Sequence, residues 1–236
     1  MDERPLIVFS ALIGGPPEIC DQIRPVIAPR DPKGRRTKFI FFIDRRTSGP
    51  YLGWDCRFPA WTHDFDDRRT ARRIKTNPEA LFRPTELNLT TPPAVYTLWC
   101  DASHQLKVNP WELIDALPPG TNLATFRHPD RADVWAEGQA CVALKKDNEQ
   151  LIRAQLERYI DQGYSPVYPL AETSVIVRRH TTVVQKFDAL WWKEIVDGSR
   201  RDQLSFNYAL DKAGLIPGWL DGQRTESPYF NFFPHR

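Results

Sequence analysis

The sequence predicts a single α/β domain, and three observations carry that expectation. Apolar runs of strand length alternate with amphipathic helical stretches, two of those runs are apolar on both faces, and 236 residues with 41% hydrophobic and 12% aromatic content suffice for one large core. The two-faced runs are residues 38–43, "KFIFFI", and 94–100, "AVYTLWC". A strand without a polar face needs cover on both sides, which helices packed on a central sheet provide.

In chain order, the first strand is expected over residues 5–12, closed by Gly14, Gly15, Pro16 and Pro17. That apolar run is too short to span a bilayer and lacks a small-residue cleavage pattern, so it reads as a strand and not as a signal peptide. After the 38–43 strand, "DDRRTARRIK" at 66–75 sets Arg68 with Arg72 and Arg69 with Arg73 on neighbouring helical turns. Residues 83–93 and Pro118–Pro119–Gly120 read as loops, with strands at 94–100 and 122–126 beside them. One long helix is expected over 137–161, from the helical spacing of Cys141, Leu144, Leu151, Ile152, Leu156, Tyr159 and Ile160, ending at Gly163. A strand at 173–178, a helix at 184–196 and a third helix starting near Asp202 complete the pattern. The aromatics of the tail "SPYFNFFPHR" must either pack back on the body or stay exposed as a docking patch. With no internal repeat and no convincing linker, residues 1–236 are expected to form one domain, divided at about 105 and 215 into two halves and a tail over 216–236.

A formal net charge of +2, from 32 basic and 30 acidic residues, excludes the strongly cationic surface of a dedicated nucleic-acid binder. Any anion site is therefore local. Cys20, Cys56, Cys100 and Cys141 form no CxxC pair, so zinc and a disulfide framework are not expected and reduced thiols in a cytosol are the simpler reading. Neither a GxxxxGK[ST] nor a GxGxxG loop is present, which leaves P-loop and dinucleotide folds without support.

The stretch "LWCDASHQL", 98–106, begins as a buried strand and breaks into Asp101, Ala102 and Ser103. Open α/β sheets bind ligands at the carboxyl ends of central strands, so Asp101 is a candidate to hold a metal or a sugar hydroxyl. A plainer explanation is that it caps the turn before "NPWELIDAL". In "ATFRHPDRADVWAEGQA", 124–140, a solvated loop accounts for Asp130, while Arg131 and His128 can face a bound anion. Residues 171–210 carry Glu172 before a strand, Arg178 and His180 after it, and Trp191 and Glu194 on a helix; Arg201, Asp202 and Gln203 open the next helix. Trp191 shares a stripe with Phe187 and Ile195 and reads as core, and Asp202 has an adequate explanation as a helix cap. The arginines of 66–75 read as a solvated face, although a groove holding a diphosphate would need such groups.

In order and spacing, "VFSALIGG", "LWCDASHQLKVNPWELI", "FRHPDRADVWAE", "LAETSVIVRRH", "LWWKEI" and "SRRDQLSF" resemble one family. It is the glycosyltransferase-like domain found in plant proteins of pectin mucilage synthesis and turgor regulation and in many bacterial proteins. The resemblance covers most of residues 5–210 and implies a GT-A fold, a Rossmann-like α/β domain with a mixed, mostly parallel sheet, in which an Asp-x-Asp signature closes a strand. Here Asp101-Ala102-Ser103 stands in that place without the second acid.

That resemblance also implies roles. Ala11, Leu12, Ile13 and Gly14 with Asp44 would surround the nucleoside, and Arg69, Arg72 and Lys75 would lie near the phosphates, together with Asp101, Ala102 and Ser103. Many relatives have Pro-His after this lysine, where this chain has Asn77-Pro78. His128, Arg131, Arg178, His180, Trp191, Arg201 and Gln203 would line the sugar and acceptor side. Asp202, Glu194 and Glu172 would be the catalytic carboxylates, with Asp202 or Glu194 nearest the reacting carbon. Mn²⁺ or Mg²⁺ would bridge Asp101 to the diphosphate, with a histidine such as His128 or His180 as a further ligand; arginines neutralising the phosphates are the alternative. The co-substrate is a nucleotide-sugar, a UDP-sugar by preference, and the acceptor a glycan, with a hydroxymethylated base in phage DNA as the minority option. An inverting course would use Asp202 as base; a retaining one would let the leaving phosphate take the proton. Plant relatives carry membrane anchors and this chain shows none, so a cytoplasmic bacterial or phage protein is expected. A non-catalytic module binding glycan or nucleic acid is the reading of another class.

Overall fold

A computed structural model of the chain describes residues 5–14, 24–44, 52–59, 65–78, 81 and 96–234. Its strands are β1 (Leu6–Leu12), β2 (Thr37–Ile43), β3 (Asp55–Arg57), β4 (Tyr96–Cys100), β5 (His104–Leu106), β6 (Leu123–Arg127), β7 (Ala171–Arg179), β8 (Gly218–Trp219) and β9 (Phe230–Phe232). Its helices are α1 (Asp67–Thr76), α2 (Pro110–Ala116), α3 (Val134–Ala143), α4 (Glu149–Asp161), α5 (Thr182–Asp197) and α6 (Gln203–Ala213). The fold is α/β, with a mixed, mostly parallel sheet flanked by helices.

Seven strands form one sheet in the order β3-β2-β1-β4-β7-β6-β8. Adjacent pairs are parallel except at β7, which runs against both β4 and β6. The pleat sends alternate residues to two separate cores. Ile7, Phe9, Trp99 and Ile176 meet Phe187 and Trp191 of α5 and Phe206 of α6 on one face. Leu6, Val8, Leu98 and Val175 meet Trp111 and Leu113 of α2 and Phe230 of β9 on the other. This is why β1 and β4 show no polar face: each is covered twice.

One sequence expectation changes and one open alternative is decided. The long helix over 137–161 is two helices, because Lys145 turns at φ +50 and Asn148 caps α4 by accepting from the N–H groups of Gln150 (2.8 Å) and Leu151 (3.2 Å). Leu144, Leu151 and Ile160 of the supposed apolar stripe are exposed. The tail takes the first of its two options: β9 pairs antiparallel with β5, and Phe230 is buried. The expected loop at 83–93, the Gly15–Pro17 turn and Cys20 lie outside the described residues.

Because β7 is reversed, its amino end lies beside the carboxyl ends of β4 and β6. A register shift between Thr125 and Phe126 bulges β7 there, and the Thr125 hydroxyl holds the bulge by donating to the carbonyls of Glu172 and Val175 (2.7 Å each). One edge of the sheet thus gathers residues from four separate stretches of chain.

Candidate functional site

Asp101 leaves the end of β4 with its backbone N–H donating to the Ser174 carbonyl (2.7 Å). Its Oδ1 accepts from the indole N–H of Trp99 (2.8 Å) and lies 3.5 Å from the Lys75 ammonium. The side chain remains 34% exposed, and no described residue is recorded against its Oδ2. A fixed carboxylate with one open oxygen at the carboxyl edge can accept from a ligand hydroxyl. Turn closure by the backbone, His104 N–H to the Asp101 carbonyl (2.8 Å), leaves the side chain unneeded as a cap.

Lys75, in the last turn of α1, is 1% exposed and projects inward. Its ammonium donates to Asp202 Oδ2 (2.6 Å) and Thr173 Oγ1 (3.1 Å). Arg72, one turn earlier, meets Asp202 Oδ1 at 2.9 Å. Asp202 starts α6 yet makes no side-chain cap bond, so the helix-cap explanation fails and the carboxylate is a buried counter-ion. Burial alone would raise its pKa, but Arg72, Lys75 and Arg201 hold it well below the usual carboxylate range.

Glu172, at the start of β7, accepts from the Ser174 hydroxyl and from the Ser174 N–H (3.1 Å). Burial pushes its carboxyl pKa up, against the lowering effect of the Ser174 hydrogen bond. Ser103 contacts His104 Nδ1 (3.2 Å), and the Ser174 hydroxyl lies 3.4 Å from His104 Nε2. Farther along the edge Glu137 takes Arg131 Nε at 2.5 Å, and Arg131 in turn reaches His128 Nε2. Arg201 lies 3.9 Å from Glu137, joining this group to Asp202 next to it in sequence. Burial and Arg131 lower the pKa of the His128 ring.

At the far side of the same edge, the Gly14 N–H donates to Asp44 Oδ2 (2.8 Å), tying the loop after β1 to the end of β2. Gly14 has φ +69, a conformation that favours glycine, and a Cβ there would meet the Asp67 side chain, so the loop runs against the first turn of α1. Ala11, Leu12 and Ile13 lead into that loop. The structure therefore brings Lys75, Arg72, Asp101, Ala102, Ser103, Glu172 and Asp202 into one cluster at the carboxyl edge, with Gly14 and Asp44 on one side and His128, Arg131 and Arg201 on the other.

Five expected site residues stand elsewhere, and a sixth, Gln203 beside Asp202, is bound to backbone. His180 follows the far end of β7, roughly 20 Å from Asp101 by strand rise, where its Nε2 contacts Thr97 Oγ1 (2.9 Å). It cannot share a metal with Asp101. Arg178 is fully buried, paired with Asp188 (2.9 Å) and donating to the Lys75 carbonyl (2.9 Å), so it supports Lys75 from behind and faces no acceptor. Trp191 is 0% exposed among Phe187 and Phe206, with its indole N–H on the Asp202 carbonyl (2.9 Å); it is core. Gln203 is buried against the Ala171 carbonyl. Arg69 donates to the carbonyls of Ile195 (3.2 Å) and Gly198 (2.9 Å), capping the end of α5 instead of meeting phosphates. Glu194 is clamped by Arg158 (2.6 Å) and Tyr159 (2.7 Å) of α4, so its oxygens are occupied by packing partners.

Among the described residues Asp101 offers one open carboxylate oxygen beside an ammonium, and no group of three His, Cys, Asp or Glu is arranged for a metal. A Mn²⁺ or Mg²⁺ at Asp101 would have to draw its other oxygens from the diphosphate and water. Thr173, Ser174, His104, Glu137 and Arg224 join the site without having been singled out by sequence. His104, Thr173, Ser174 and Glu137 fall inside the quoted motifs, whereas Arg224 lies outside all of them.

Comparison with known proteins gives three findings. Residues 88–220 match the family described as TOD1/MUCI70, glycosyltransferase-like domain. Two curated relatives are from Arabidopsis thaliana: "Probable hexosyltransferase MUCI70", 31% identical over 157 residues (61% of this chain), and "Alkaline ceramidase TOD1", 29% identical over 131 residues (51% of this chain). The matched stretches span only 27% and 28% of those proteins. Among solved structures, a glycosyltransferase involved in the glycosylation of the major capsid of PBCV-1 aligns over 92% of this chain and 81% of its own, at TM-score 0.48 and 10% identity. Mouse xyloside xylosyltransferase 1 in its apo form aligns over 92% and 85%, at TM-score 0.47 and 10% identity. Likeness at that level carries no function.

Proposed function

The chain belongs to the TOD1/MUCI70 glycosyltransferase-like domain family, and from that premise we propose that it transfers a sugar from a nucleotide-sugar to a hydroxyl acceptor in the carboxyl-edge crevice. The observation that carries the reading is the convergence of Asp101, Lys75 and Asp202 from three separate elements, with one oxygen of Asp101 left open. A UDP-sugar is the preferred donor and a glycan the preferred acceptor. The name of the hexosyltransferase relative supports the class of sugar, and the free thiols Cys56, Cys100 and Cys141 support a cytoplasmic setting.

The residue roles differ from the order the sequence suggests. Asp202, ionised and held by Arg72 and Lys75, fixes the lysine and is a poor base, because protonating it would undo two buried ion pairs. Glu172, with its carboxyl pKa raised by burial, is the better proton acceptor for the attacking hydroxyl. Asp101 orients a donor hydroxyl, and the neighbouring cations meet the charge that develops on the departing diphosphate. An inverted product would require the Glu172 base; a retained one would assign the proton to the leaving phosphate.

The test is release of nucleoside diphosphate from a panel of nucleotide-sugars, offered neutral glycans, acidic glycans and hydroxymethylated DNA. We expect turnover of one donor with a glycan, and a loss of at least about 100-fold in Asp101→Ala, the order that removal of one preorganised electrostatic contact costs. A folded protein that turns over no donor and binds none would overturn the reading. Binding of glycan or DNA without turnover would replace it with a non-catalytic module.

A further inference from the structure

The family match ends at residue 220, and the chain beyond it forms a strap across the crevice edge. The Leu220 N–H donates to the Thr125 carbonyl (2.9 Å) on β6, and the Phe233 N–H to the Ser103 carbonyl (2.8 Å) beside Asp101. Between these anchors Gln223 and Glu226 exchange backbone hydrogen bonds of 2.9 and 3.1 Å. Gly222, at φ +82, makes the turn possible, since a Cβ there would lie 2.5 Å from the Glu226 carbonyl oxygen.

That turn presents Arg224. Its carbonyl lies 3.2 Å from His104 Nε2, and its guanidinium packs on the Phe232 ring at 5.3 Å. The guanidinium is 3.9 Å from Glu172 Oε1, too far for a fitted ion pair, and the side chain is 48% exposed. Aromatic stacking and two backbone anchors hold the group in place, while most of its five N–H donors remain open. Lys75 and Arg72 are already committed to Asp202. Arg131 is committed to Glu137. Arg224 is thus one cation of the described residues at this edge that keeps most of its donors open.

We propose that Arg224 binds the diphosphate oxygens of the nucleotide-sugar, making the strap outside the family match a working wall of the donor site. The proposal rests on the glycosyltransferase reading above. A planar guanidinium suits phosphate oxygens through paired hydrogen bonds, which a lysine ammonium reproduces only in charge.

Calorimetric titration of the full chain with UDP, GDP and uridine tests it, in the wild type, Arg224→Ala, Arg224→Gln and Arg224→Lys. The expected result is an affinity for the preferred nucleoside diphosphate about 10-fold lower in the Ala and Gln variants, as loss of a charge-assisted hydrogen bond implies. The Lys variant should recover part of it, and uridine binding should not change. Thermal midpoints matching the wild type will show that the variants fold. Diphosphate affinity within twofold of wild type in Arg224→Ala would overturn the proposal and leave the enzyme reading intact. So would a defect confined to the KM of an acidic acceptor. A wild-type protein that binds neither diphosphate would overturn the proposal, and turnover in the donor panel then decides the enzyme reading separately.

Discussion

A lysine that is 1% exposed needs carboxylates against it, and Lys75 has Asp202 at 2.6 Å and Asp101 at 3.5 Å. Removing one partner of a buried pair leaves the other charged and unsolvated, which costs about 3–5 kcal/mol. Asp202→Asn should therefore lower unfolding free energy by about that amount in urea titration; a loss below about 1 kcal/mol, the size of an exposed pair, would contradict a buried pairing. The sign of the pH effect follows from the direction of the shift. The folded-state pKa of Asp202 lies below the ordinary 3.8, so its contribution is complete above 3.8 and is lost as pH falls through the lower folded value. Glu172 runs the other way: its folded pKa is raised above 4.5, so stability declines as pH rises through that window. Glu172→Gln should flatten that decline in thermal melts and abolish transfer while leaving donor affinity close to wild type.

At the scale of elements, Arg69 shows how an apparent ligand contact becomes architecture. The spacing of 66–75 correctly places its arginines on a helix, α1, but not what each arginine meets. Arg69 closes the carbonyl end of α5, where backbone oxygens have no partner within the helix, and it also bonds Asp66, the N-cap of its own helix, at 2.8 Å. Arg69→Ala should cost roughly 1–2 kcal/mol in denaturant titration and leave donor KM unchanged. A raised donor KM with unchanged stability would return Arg69 to the phosphates. The split of 137–161 into α3 and α4 teaches the same lesson from the opposite side. Asp147 and Asn148 were legible as polar residues, yet the apolar spacing ran across them; Asp147 in fact accepts from Ser199 Oγ (2.7 Å) and the Arg200 N–H (2.9 Å), contacts distant in sequence.

Across the whole molecule, the reversed strand β7 carries site residues at one end and structural ones at the other. Glu172 and Thr173 lie buried in the carboxyl-edge cluster, Thr173 bonded to Lys75 and Asp202, while Arg178 and His180 are buried toward the opposite edge. Burial, reinforced by Arg178, pushes the His180 ring pKa down to about 3 from 6.5. Below 6.5 the unfolded chain takes up a proton that the folded chain refuses, so stability is complete above 6.5 and falls toward pH 3, by at most about 1.4 kcal/mol per pH unit. His180→Gln should remove that acid slope; the readout is the difference between the two stability–pH curves between pH 4 and 7. Identical slopes would mean that the ring reaches solvent. No helix among the described residues is long and apolar enough to cross a membrane.

The sequence by itself determined the α/β class, the double-sided burial of the 38–43 and 94–100 runs, which are β2 and β4, the placement of Asp101 at the end of a central strand and the family. Those features depend on local periodicity and on residue order, both of which a linear chain displays. Only the tertiary structure decided which charged residues share a crevice. A motif records that Asp202, Glu194, Arg178 and His180 recur in order, but strand direction and helix packing decide which edge each one faces. Asp202 meets Lys75 across 127 residues of chain, and Arg224 comes to 3.9 Å from Glu172, short of bonding it, only because the tail folds back along β5. Contacts of that range are set by how the sheet closes, and no spacing along the sequence encodes them.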